Sequence, residues 1–251
     1  MSKKVILVTG AGSGIGRALS IGFANDKFTV IGVGRDAENL KGTKAIALDG
    51  QFDYYAADIA DFTAMSQIVN EIIDRHDSLD ILINNAAVYP KQRFLDTTPE
   101  EWASTININL NAMANCCRLV LPGMLEKEYG RIINVGSLAD LNPIVMSAAY
   151  STSKGAVHVL TRAIAREIDT LNKPNVLINE FLPDKTESAM SDVGGAPDKA
   201  YLPVKKLIDR PSGSPSGRSY SSGREVLPNL GLKILLKHAF SEKITALTKG
   251  R

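Results

Sequence analysis

Three residues of this chain have the types and spacing to move a proton to or from an oxygen atom. Tyr150 and Lys154 stand four apart in a helical pattern, so both project from one face. A phenol is a poor base at its ordinary pKa of about 10. A neighbouring ammonium favours the phenolate and brings it towards working pH. Ser137 follows the apolar run Ile132 to Val135, which places its hydroxyl at a strand's C-terminal end, where open α/β sheets bind ligands. A second constellation is Thr9-Gly10-Ala11-Gly12-Ser13-Gly14-Ile15-Gly16, directly after an apolar strand and opening a helix. Its glycines permit a tight turn and the close approach of a pyrophosphate. The free N–H groups and dipole of the helix start favour an anion there.

The elements that must position these groups follow from periodicity. Val5 to Val8, Thr29 to Val33, Tyr54 to Ala57, Ile81 to Ile83, Ile132 to Val135 and Val176 to Leu182 read as strands. Between them run helical patterns at Arg17 to Asp26, Phe62 to His76, Glu100 to Leu121 and Tyr150 to about Leu171. Thr98-Pro99-Glu100-Glu101 has the form of a helix start with a capping box. Continuously apolar strands alternating with helices imply a single-domain α/β fold of Rossmann type, a doubly wound parallel sheet with helices on both faces. From Ser191 to Gly223 glycine, proline and serine crowd together. A loop over about 184–223 is therefore expected to act as a substrate lid, mobile without ligand. Leu232, Leu235, Leu236, Phe240, Ile244 and Leu247 predict a C-terminal amphipathic helix over about 228–249.

Composition narrows the class of function. Of 251 residues, 44% are hydrophobic and 22% charged, which excludes general disorder. A formal net charge of +2 supplies no broad cationic face, so a nucleic-acid or anionic-membrane partner is not expected. No apolar run approaches the roughly 20 residues of a membrane span. The two cysteines, Cys116 and Cys117, are adjacent and offer neither a disulfide framework nor a zinc site. They read as small core or interface residues in a reducing, cytoplasmic protein. His76, His158 and His238 have no ligand spacing, and no metal is expected.

Taken together, these motifs resemble the short-chain dehydrogenase/reductase family over about Lys3 to Met190. The resemblance rests on the glycine turn, Asp58-Ile59 after the third strand, Asn84-Asn85-Ala86-Ala87 after the fourth, Asn109 in the next helix, Ser137, Tyr150 and Lys154. It implies a catalytic set of Asn109, Ser137, Tyr150 and Lys154. Tyr150 would be the general acid/base and Ser137 would hydrogen-bond the substrate oxygen. Lys154 would hold the nicotinamide ribose and favour the tyrosinate, and Asn109 would anchor a water on the proton path. Cofactor contacts would come from Gly10, Ser13, Gly14, Ile15, Gly16, Arg35, Asp58, Ile59, Asn85, Ala86, Pro183 and Ser188, together with Tyr150 and Lys154. Asp184 and Ala87 stand where the family usually has glycine, and the usual terminal strand is not evident in the tail.

The activity implied is hydride transfer between NADP(H), or alternatively NAD(H), and a small carbonyl/secondary-alcohol substrate. NADP is preferred because Gly34 occupies the place of the acid that repels a 2′-phosphate, while Arg35 offers a fork of donors. Asp36 swinging back to a ribose hydroxyl is the route by which NAD would be accepted. Leu138, Tyr89, Ile144 and Met146 would make the carbonyl pocket mainly apolar. The resemblance also implies a homodimer or homotetramer. Ala112, Cys116, Leu119, Val157, Leu160 and Ile164 are expected to give two helices a second apolar stripe for it. The alternative is a cofactor-binding regulatory or scaffold protein on the same fold. The set of Ser137, Tyr150, Lys154 and Asn109 speaks against it, because binding alone does not need that set.

Overall fold

Strands covered on both faces are mostly apolar, and this preference sorts the chain into its layers. The computed structural model describes residues 3–139, 141–184 and 194–226. The core strands are β1 (Val5–Thr9), β2 (Thr29–Gly34), β3 (Phe52–Ala56), β4 (Ile81–Asn84), β5 (Gly130–Val135) and β6 (Val176–Phe181). They form one sheet with the short strands β7 (Ser219–Ser221) and β8 (Arg224–Glu225) in the order β3-β2-β1-β4-β5-β6-β7-β8. All pairs are parallel except β7 with β8. The order reverses beside β1, so the carboxyl ends of β1 and β4 flank the crevice where such sheets bind ligands.

Helices cover both faces. On one side α3 (Phe62–His76), α5 (Ala112–Glu126) and α6 (Ala148–Thr170) bury Met65, Ile72, Cys116, Val120 and Ile168 against Leu7, Leu82, Ile132 and Ile178. On the other, α1 (Gly14–Asn25), α2 (Ala37–Ile46) and α7 (Tyr201–Ile208) bury Leu19, Phe23, Leu40, Val204 and Leu207 against Ile6, Val8, Ile83 and Ile133. The expected helix from Glu100 is α4 (Pro99–Ile106), and it runs through a π turn at Asn107–Asn111 into α5. Its capping box is present: Thr98 Oγ1 accepts from Glu101 N–H, and Glu101 Oε2 accepts from Thr98 N–H. Among the described residues no helix is long and apolar enough to cross a membrane.

The structure corrects several expectations. Within the segment read as a loop, Pro197–Ala200 and α7 are helical and β7 joins the sheet beside β6. A terminal strand is therefore present. Val204, Leu207 and Ile208 form a short buried stripe that the surrounding proline, glycine and serine obscure. Tyr201 packs edge-on to Phe23 with centroids 4.9 Å apart, over Gly22, where any Cβ would overlap the ring. Helix α2 escapes sequence reading because it buries only Leu40 and Thr43. Of the six residues expected on an intersubunit stripe, Ala112, Cys116 and Val157 are buried within the chain, since α5 and α6 turn them to their own core. Leu119, Leu160 and Ile164 are half-buried. Residues 185–193, with Ser188, and the helix expected at 228–249 lie outside the described residues.

Arg131, at the start of β5, is a buried cation that the apolar pattern does not anticipate. Nε donates to the Ile208 carbonyl at 3.1 Å and Nη1 to those of Gly130 and Asn175. Nη2 donates to the Arg210 carbonyl at 2.7 Å and to Asn175 Oδ1 at 2.9 Å. The guanidinium thereby ties the end of α7 to the N-terminal edge of the sheet. Arg131→Met should leave these carbonyls without their donor and lower unfolding free energy by about 3 kcal/mol. Denaturant titration checks this, with a loss under about 1 kcal/mol contradicting it.

Candidate active site

The crevice is built on a knot between β1 and β4. Thr9 Oγ1 accepts from the N–H groups of Asn85 and Ala86 at 3.0 and 3.1 Å. In return, Asn85 Nδ2 donates to the Thr9 carbonyl at 3.0 Å and, less closely, to that of Gly10 at 3.4 Å. Gly10 turns there with φ +69°, a conformation that favours glycine. Gly16, in the first turn of α1, lies so close that a Cβ would overlap the Gly10 carbonyl oxygen. The helix start is thus pressed onto the turn. Ser13 caps α1 without a side-chain cap bond, and its first turn holds no acid, so its N–H groups and dipole are presented to the crevice.

One cleft of about 970 Å³ contains both constellations. Its walls include Gly10, Ser13, Gly14, Ile15, Arg35, Asp58, Ile59, Asn85 and Ala86 towards one end and Ser137, Tyr150, Lys154 and Pro183 towards the other. Every described residue expected at the site lies on this cleft except Gly16 and Asn109. Gly16 acts from behind the turn. Asn109 is fully buried in the π turn, a feature frequent at functional sites. Its Oδ1 accepts from Val88 N–H at 2.8 Å, while Nδ2 donates to the Val88 carbonyl at 2.9 Å and to Ser153 Oγ at 3.0 Å. Its side chain therefore braces the loop after β4 against α6.

On α6, Tyr150 and Lys154 share a face, as their spacing requires. The Tyr150 ring stacks on Tyr89 with centroids 4.7 Å apart, and burial pushes the Tyr89 phenol up. Lys154 is 1% exposed, donates to the Val135 carbonyl at 2.7 Å and holds its ammonium 5.9 Å from the Tyr150 ring centre. Ser137, two residues beyond that carbonyl, accepts from Ala139 N–H at 3.1 Å. Leu138, Ile144, Val145 and Met146 are exposed at the cleft's mouth. Asp184 accepts hydrogen bonds from the Ser221 and Ser222 hydroxyls, which tie the loop after β6 to the β7–β8 hairpin.

Sequence reading missed the structural part played by Thr9, although the turn motif contained it. It also missed a buried cluster of Glu180, His158 and Ser219 behind the cleft. Only tertiary pairing brings those three together. Asp36 accepts from Asn39 N–H at 3.0 Å and from Asn39 Nδ2 at 2.6 Å, so it caps α2, and its spacing to Asn39 is the signal that could have shown this. Cys116 and Cys117 are buried free thiols, both pushed up to about 12 by desolvation, and are packing residues.

A family model described as short chain dehydrogenase matches residues 4–196. A 3-oxoacyl-[acyl-carrier-protein] reductase of Thermotoga maritima is 31% identical over 199 residues, covering 78% of this chain and 79% of the relative. A 3beta-hydroxysteroid dehydrogenase of Mediterraneibacter gnavus is 32% identical over 205 residues, 80% of this chain and 72% of the relative. An uncharacterized oxidoreductase of Bacillus subtilis is 34% identical over 206 residues, 80% and 76% respectively. The glycine knot yields a direct test. Gly16→Ala should force α1 away from the turn and weaken dinucleotide binding at least about tenfold, roughly 1.4 kcal/mol. Titration calorimetry would read this, and unchanged affinity would show that the contact is not needed.

Proposed function

The chain belongs to the short-chain dehydrogenase family of NAD(P)-dependent oxidoreductases, and from that premise we propose that it interconverts a carbonyl and a secondary alcohol through Ser137, Tyr150 and Lys154. The observation that carries this is the single cleft joining an open helix N-terminus to Tyr150 and a buried Lys154. The dinucleotide fits the residues present, because the α1 start offers unclaimed N–H groups beside a turn with no obstructing side chain. The nicotinamide, when bound, supplies or accepts the hydride.

Ser137 donates a hydrogen bond to the substrate oxygen and holds it against the Tyr150 hydroxyl. Tyr150 gives its proton to that oxygen in reduction and takes it in oxidation. Lys154, its ammonium anchored on the Val135 carbonyl, favours the phenolate and reaches the cofactor ribose. Asn109 fixes the loop after β4 and the neighbouring turn of α6, and so holds the Tyr89–Tyr150 stack in place. The apolar mouth formed by Leu138, Ile144 and Met146 suits a neutral ketone. Tyr150→Phe should lower turnover at least about a hundredfold while leaving dinucleotide affinity nearly intact. Nicotinamide absorbance with a panel of ketones and alcohols measures this, and near-normal turnover would refute the mechanism.

NADP(H) is the preferred cofactor in this reading. Gly34 has room for a substituent: the nearest atoms to a Cβ there would be those of the Leu40 side chain, at 3.6–3.8 Å, an ordinary contact. Arg35 is exposed on the cleft and suited to a 2′-phosphate. Asp36 is engaged at the α2 cap, and Arg17 is committed to Thr43 Oγ1 and the Asn39 carbonyl at 3.1 and 3.0 Å. The double variant Gly34→Asp/Arg35→Ala should fold and reverse the preference. Losing a charge-assisted contact costs about 1.5–3 kcal/mol, on the order of ten- to a hundredfold in affinity. Equal kcat/KM for both cofactors before and after substitution would overturn the assignment.

A further inference from the structure

Glu180 is a carboxylate at a fully buried position in the middle of the sheet. It lies in register between Asn134 of β5 and Ser219 of β7, on the face covered by α6. Its Oε2 accepts from the Ser219 hydroxyl and stands 3.2 Å from His158 Nδ1, which in turn lies 2.9 Å from Ser219 Oγ. An ionised carboxylate only accepts, so this arrangement places the proton on Nδ1. The other oxygen, Oε1, reaches towards the carboxyl end of β5, into the space that a Cβ of Gly136 would fill. Gly136 is flanked by Val135, whose carbonyl holds Lys154 Nζ, and by Ser137. Lys154 and His158 occupy successive turns of α6. A buried carboxylate and a buried ammonium thus share one short stretch of β5, a position costly for either charge without the other.

We infer that Glu180, held by His158 and Ser219 in the space left by Gly136, is the buried counter-charge of Lys154 and a positioning residue that sets the pH at which Tyr150 ionises. The titratable groups facing the pair are His158 and Tyr150 from α6, Tyr89 stacked on Tyr150 and the Cys117 thiol of α5 against Asn134, with the neutral Ser219 hydroxyl from β7. Asp184 lines the same cleft. Arg218, next to Ser219, pairs with Glu225 at 3.2 Å, and Arg131 lies at the opposite end of β5. Removing a negative charge lowers the pKa of every titratable group near it. With Glu180 neutralised, the Lys154 ammonium would act on the phenol without offset, and Tyr150 would ionise at lower pH.

The inference rests on the proposed Tyr150–Lys154 assignment for its catalytic consequence, but not for its primary test. Ultraviolet difference titration of tyrosinate, with Tyr150→Phe as the background, follows Tyr150 in the whole protein without any substrate. Glu180→Gln should lower the Tyr150 midpoint by about one unit, and coincident curves would overturn the inference. Should that variant fail to fold, Glu180→Ala removes the carboxylate and leaves His158 and Ser219 bonded to each other. It should give a shift of the same sign. The corresponding limb of the kcat/KM profile should move with the titration. A moved titration with full turnover in Tyr150→Phe would sink the mechanism and leave the charge pairing standing, whereas an unmoved titration with inactive Tyr150→Phe would do the reverse.

Discussion

The structure depends on the close approach of β1, β4 and α1 at the carboxyl edge of the sheet. Thr9 and Asn85 exchange four hydrogen bonds with one another's loops, and Gly16 has no side chain to hold the helix off. Two parallel strands must end together there and their chains must turn away in opposite directions, which opens the crevice. The backbone groups at the crossing are paired with a hydroxyl and an amide. The start of α1 then lines the cleft through Ser13, Gly14 and Ile15, with no side-chain cap bond at Ser13. The proposed dinucleotide site follows from that constraint.

Charge is handled differently at the two edges of the sheet. At the amino edge, Arg131 is buried among carbonyl oxygens and acts as a clamp between α7 and β5. At the carboxyl edge, Lys154 is buried, donates to the Val135 carbonyl and holds its ammonium 5.9 Å from the Tyr150 ring centre. A structural cation and a proposed catalytic one are therefore distinguished by what lies beside them rather than by burial. Glu180 belongs to the carboxyl edge. It faces α6 with His158 and occupies space that exists only because residue 136 is glycine.

Much of this was legible from residues. The six core strands were found within a few residues of their ends, because a sheet covered on both faces calls for short runs rich in apolar and β-branched residues. The helix at Phe62–His76 carried a clear period. The capping box at Thr98 and Glu101 could be read from four letters. What escaped notice carried little apolar signal. Helix α2 buries two residues, β7 reads Ser-Tyr-Ser, and α7 offers Val204, Leu207 and Ile208 amid prolines and lysines. The stripe assigned to an intersubunit face was misjudged for the opposite reason. A helix packed between neighbours buries more than one line of residues, and Ala112, Cys116 and Val157 belong to the chain's own core.

By itself the sequence determined the fold class, the glycine turn and the pairing of Tyr150 with Lys154, since each is written in local pattern: short apolar runs alternating with a 3.6 period, a helix start, a separation of four. Tertiary structure decided what those groups face. Asn109 points at Val88 and Ser153, Asp36 is consumed in capping α2, and Glu180, His158 and Ser219 meet behind the cleft from three different elements. Local rules see neighbours along one helix or strand. A buried charge finds its partner across strands and layers, and the partner is set by register and packing that no short stretch of residues encodes.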